Sequence, residues 1–228
     1  MDGQNAAPQG LKIQGFPGEQ GRWKPVPAAK LSAAPYNRIC QVTGVGGGSS
    51  GTGWLHAKGQ IVTAAHVVAG AASVRVRFAA ETHWVAANIG KIASGYFGPG
   101  GVERQCSPWD LALIVPPADL AISADAFAPV TGGLCLAVGF RDGVLVEHAG
   151  SSTDVGPFVA HNCDTDHEHS GCPVLIANGM RGIHVGMFAG SRPYLQPPQS
   201  QVQGYLNSAV RLSDALVANL VDGKGEQG

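Results

Sequence analysis

Three segments carry residues that could do chemistry together. His66 sits in "IVTAAHVV", Asp110 follows "SPW" and opens "DLALIV", and Ser170 stands in "HEHSGCPVL". A serine hydroxyl is a poor nucleophile until a neutral imidazole takes its proton. A buried carboxylate fixes that imidazole's tautomer and stabilises the cation that forms. Each signal is weak alone: a histidine beside a strand usually packs, and Asp or Ser-Gly at a strand entry is often a turn residue. In the order His, Asp, Ser, each beside its own apolar run, they read as base, orienting acid and nucleophile.

A second chemistry competes for the serine segment. His161, Cys163, His167, His169 and Cys172 form H-x-C-x₃-H-x-H-x₂-C, and zinc takes Cys and His ligands. The spacing matches no known site, and four ligands must converge. The alternative is surface loop and pocket wall, with Cys172 a wall residue beside the nucleophile.

The elements that must position these groups are short. "YNRICQVTGV", "ASVRVRFAA" (apolar at Val74, Val76 and Phe78), "WVAANIGKI" and "DLALIV" read as strands. "GTGWLHAKGQIVTAAHVV" reads as strand, turn, strand and a short helical turn. After a Pro-, Asp- and Ala-rich link at about 116–130, "LCLAVGF", "GVLVEHAG", "PFVAHNC", "CPVLIA" and "MRGIHVGMF" resume the pattern. Near the end, Leu212, Leu216 and Leu220 recur every four residues, which predicts an amphipathic helix over about 209–221. Two runs of about six short strands imply an all-β protein of barrels or sandwiches.

The chain resembles the chymotrypsin-like (trypsin-like) serine peptidases. "TAAHVV" is similar to their histidine motif, "DLALI" to their aspartate motif and "SGCPV" to the core of their serine motif. The resemblance runs from about Tyr36 to Leu220. It implies two six-stranded antiparallel β-barrels, about 35–118 and 128–208, with His66, Asp110 and Ser170 as the catalytic triad. The segment "DTDHEHSGCPVL…GMRGIHVG" resembles the bacterial glutamyl endopeptidases. That likeness implies a pocket for an acidic side chain lined by Thr165 and His184, and cleavage after Glu. An imidazole and a hydroxyl can hydrogen-bond a carboxylate, and the imidazole can become charged when the anion binds.

The resemblance breaks just before Ser170. The family has Gly two positions before its serine; this chain has Glu168, followed by His169. The oxyanion hole implied for this chain uses the N–H groups of Glu168 and Ser170. If the site needs φ > 0, a non-Gly residue resists it, and the peptide would flip to turn a carbonyl inward. Three outcomes are open: a strained active loop, a loop inactive until substrate or an activating partner reorders it, and a binding-only module on a peptidase fold.

Composition bounds the rest. The 228 residues carry a net charge of −1 with no basic run, which argues against nucleic acid as a partner. No stretch reaches the ~18 apolar residues of a membrane helix, and no charged start leads into an apolar run as in a signal peptide. Five scattered cysteines cannot all pair, which points to a reducing, cytoplasmic setting. Residues 1–34, rich in Gly, Pro, Gln and Ala, read as a flexible arm, either an ordinary frayed terminus or a regulatory pro-segment. The chemistry needs a protein or peptide substrate and no cofactor.

Overall fold

The computed structural model describes residues 23–56, 59–118, 133–176, 179–187 and 207–212. A short strand, β1 (Lys24–Pro25), precedes a first ring of six: β2 (Ile39–Val45), β3 (Ser50–Leu55), β4 (Ile61–Thr63), β5 (Ser73–Phe78), β6 (Val85–Ile92) and β7 (Ala112–Val115). One helical turn, α1 (Ala65–Val68), follows β4. The order β2-β3-β4-β7-β6-β5 closes on itself through antiparallel pairs such as Val42 with Val76. The alternation in β5 decides its sidedness: Val74, Val76 and Phe78 are buried in the barrel while Arg75 and Arg77 turn outward.

The second ring holds β8 (Gly133–Arg141), β9 (Val144–Val155), β10 (Phe158–His161), β11 (Pro173–Ile176), β12 (Gly179–Met187) and β13 (Asn207–Arg211). Its order is β9-β10-β13-β12-β11-β8, closed by the β8–β9 pair. Asp142 and Gly143, both at positive φ, make the tight turn between β8 and β9. The fold is therefore two closed six-stranded antiparallel barrels, as the strand pattern and the resemblance implied. Among the described residues no helix is long and apolar enough to cross a membrane.

Two boundaries differ from the sequence reading. The arm predicted over 1–34 does not stay free throughout: β1 pairs with β9 in register Lys24–Glu147 and Pro25–Val146, and Val26 is buried with its N–H on the Leu145 carbonyl. An unpaired flank of the long strand β9 accepts it. The first residues of the helix predicted over about 209–221 are strand instead, since β13 runs to Arg211. Ala209 and Val210 are buried between β10 and β12 and complete the ring's hydrogen bonding, a gain that outweighs helix periodicity. The rest of that prediction, from 213, and most of the 116–130 link lie outside the described residues.

Candidate active site

His66 is placed by what surrounds it on α1. Ala65, Val67 and Val68 are buried, and His66 is the one residue of the turn left partly exposed. Asp110 is fully buried at the entry to β7. A buried carboxylate needs donors to replace water, and it has three. Oδ1 accepts the His66 backbone N–H at 3.0 Å; Oδ2 lies 2.8 Å from His66 Nδ1 and accepts the Cys106 N–H at 2.7 Å. The backbone of Cys106, at φ 57°, is bent into the left-handed region to aim that N–H, while its thiol donates to the Val185 carbonyl.

The serine loop is built around one tight 3₁₀ turn, His167–His169. Asp166 caps it: its carboxylate accepts the His167 N–H at 2.7 Å, and its own N–H donates to His169 Nδ1 at 2.9 Å. Within the turn the Ser170 N–H donates to the His167 carbonyl at 3.3 Å. Thr52, from β3, ties the loop to the first barrel. Its N–H donates to the Ser170 carbonyl at 2.8 Å, its hydroxyl donates to the Glu168 carbonyl at 2.8 Å, and the same oxygen accepts the Phe140 N–H. Gly171, at φ 85°, presses so close that a Cβ there would sit 2.1 Å from the Thr52 carbonyl oxygen and 3.0 Å from the Ala64 nitrogen. The Ser170 turn therefore lies on the end of β4, two residues before His66.

His184 belongs to the same neighbourhood. Its carbonyl accepts the Gly171 N–H at 2.8 Å and its N–H donates to the Cys172 carbonyl at 2.9 Å. Its buried ring lies edge-on to His161, with Nδ1 3.2 Å from His161 Nε2. Burial first, then the neighbouring His161, His169 and His66, hold His184 neutral well below the usual histidine range. Burial pushes His161 down to about 3. Thr165 donates to Asn207 Oδ1 at 3.0 Å, at the start of β13.

Several solved structures share this arrangement of chain. A Glu endopeptidase superposes with a TM-score of 0.67 at 23% identity, over 90% of this chain and 97% of that one. A human pathogenic astrovirus serine protease gives 0.54 at 19%, over 80% and 94%. A serine endoprotease from Yersinia pestis gives 0.61 at 15%, over 88% and 67%. The chain has the chymotrypsin-like fold. No family model and no curated protein matches the sequence.

On this chymotrypsin-like framework the expected anion hole is closed. It needs the N–H groups of Glu168 and Ser170 turned toward one point, but the Ser170 N–H is taken by the His167 carbonyl. Glu168 is folded into the 3₁₀ turn and is not among the residues at positive φ. Its Oε2 is buried with no partner among the described residues. The structure thus brings together His66 and Asp110, sets the Ser170 loop beside them and puts His184 against that loop.

Four participants escaped sequence reading. Cys106 acts on Asp110 through its backbone, which leaves no side-chain signature. Asn207, which holds Thr165, fell at the end of the predicted second barrel with no motif to single it out. His161, the partner of His184, was visible only as a metal candidate. Trp23 lay in the supposed arm, yet it stacks on His169 at 4.1 Å between ring centroids. The zinc alternative finds no support: among the described residues no three His, Cys, Asp or Glu side chains converge as a metal site. Cys163 instead meets Cys135, Sγ to Sγ 3.4 Å, and Cys172 is buried as wall.

Proposed function

We propose that this chain is a serine endopeptidase that cleaves after Glu and rests with its oxyanion loop closed. The observation that carries it is the buried Asp110 carboxylate holding His66 Nδ1, with the Ser170 turn packed on the strand leading to that histidine. His66 takes the Ser170 proton as the hydroxyl oxygen attacks the scissile carbonyl. His66 then gives that proton to the leaving amine, and water resolves the acyl-enzyme by the same route. Asp110 keeps the Nδ1–H tautomer and stabilises the imidazolium. Glu168 and Ser170 supply the N–H groups of the oxyanion hole once the turn opens. Thr165 and His184 receive the acidic side chain; a neutral buried imidazole gains a proton most readily when an anion arrives beside it.

The test is a peptide-library cleavage profile, read beside fluorophosphonate labelling of Ser170. Cleavage concentrated after Glu supports the reading. His184→Ala should lower kcat/KM for Glu peptides by about 10²-fold or more while sparing other sites; a profile indifferent to the acidic residue would remove the specificity assignment.

The closed turn makes a second expectation. Opening it requires the peptide between His167 and Glu168 to turn over, which carries Glu168 toward positive φ. That region costs a non-Gly residue about 1–2 kcal/mol. Glu168→Gly removes this cost and the unpartnered Oε2, so turnover should rise about tenfold or more, up to the ~10²–10³ that an oxyanion donor contributes. Labelling and turnover left at the wild-type level would mean that Glu168 does not hold the loop.

A further inference from the structure

We propose that Trp23 is a positioning residue that latches the nucleophile loop in its closed form, so that the segment ahead of the first barrel controls Ser170. The regulatory consequence rests on the peptidase reading; the mechanical coupling does not.

The latch is a short chain of contacts. Ser170's N–H is occupied because His167–His169 forms a 3₁₀ turn. That turn persists because His169 Nδ1 accepts the Asp166 N–H while Asp166 caps the other end. Turn and ring are therefore tied to each other, and the ring is covered by Trp23 and packed close to Gly139. Trp23 stacks on one face, 4.1 Å away and 23° from parallel. Gly139 leaves the ring its room: a Cβ there would stand 2.6 Å from His169 Cδ2.

The closed state also holds a reason to open. Burial keeps His169 neutral, pushed down to about 4. With Nδ1 accepting, Nε2 carries the hydrogen, and among the described residues that buried nitrogen has no partner. An unmet buried donor favours any movement that gives it water. Trp23, stacked on the ring, opposes such movement. The cover is anchored independently of the loop: β1 pairs with β9, Val26 is buried, and Tyr36 donates to Glu147 at 2.6 Å beside the β1 pairing. Trp23 also lies 5.5 Å from the His148 ring. Pulling β1 off β9 removes the stack without unmaking either barrel ring.

The experiment compares the full chain with Trp23→Ala, Trp23→Phe and Trp23→Leu. It reads amide exchange at Ser170 by NMR, the rate of fluorophosphonate labelling, and thermal melting. Trp23→Ala should speed both exchange and labelling at least tenfold, and Trp23→Phe, which keeps a flat ring, should restore the wild-type rates. If Trp23→Ala does not fold, Trp23→Leu, apolar but unable to stack, should give the same change. A merely structural tryptophan would lower the melting temperature and slow labelling. Faster exchange with neither labelling nor cleavage would keep the latch and remove the peptidase reading. Unchanged Ser170 exchange in folded Trp23→Ala or Trp23→Leu, or slower labelling, overturns the latch.

Discussion

Ser170→Ala is expected to remove peptide hydrolysis altogether, a fall of about 10⁶ in kcat. In the proposed mechanism the hydroxyl oxygen forms the bond to the scissile carbonyl, so no neighbour can replace it. Cys172 is fully buried, and its thiol is pushed up by that burial beyond any useful range; only a thiolate would attack. The variant should fold as the parent does. The loop is held by main-chain bonds from Thr52, His167 and His184 and by the Asp166–His169 cap, none of which uses the Ser170 hydroxyl. An unshifted melting curve with lost labelling is therefore the expected pair of results. Cleavage persisting at more than about 1% of wild type would place the nucleophile elsewhere.

The barrels were legible because their signal is local. Alternation at Val74, Val76 and Phe78 needs only a strand half in the core. Ring closure needed the resemblance as well, since pairings such as Val42 with Val76 join strands far apart in sequence. The misread boundaries have a common cause. Trp23 to Val26 and Ala209 to Arg211 take their structure from partners, β9 in one case and β10 with β12 in the other. A Gly- and Pro-rich segment carries no sign that a distant strand has a free flank for it.

The serine loop divides in the same way. Residues after Ser170 obey the motif, and Gly171 is required by its contact with Thr52. Those before Ser170 depart from it, and the structure gives the departure a physical form. Glu168 and His169 make a capped turn that consumes the Ser170 N–H. His169 fills a slot left by Gly139 and covered by Trp23. Sequence posed the question of which way that peptide points; the answer depends on Trp23, 146 positions earlier by number (169 − 23).

Asp110→Asn should lower kcat by about 10⁴ while leaving the fold in place, and the hydrogen bonds at Asp110 explain why. Its two oxygens face N–H donors only: the His66 N–H on Oδ1, and His66 Nδ1 with the Cys106 N–H on Oδ2. An asparagine must turn its NH₂ to one side or the other. Facing Nδ1, it donates to the ring, forces the proton onto Nε2 and leaves His66 unable to accept from Ser170. It also sets two donors against each other at Cys106. Facing the His66 main chain, it opposes that N–H and loosens α1. Either orientation buries an unmet donor, which costs about 1–3 kcal/mol, so melting should fall modestly while turnover collapses. The low-field imidazole proton of His66 should disappear from the NMR spectrum at the same time. Activity within tenfold of wild type, with that proton still visible, would show that another group orients His66.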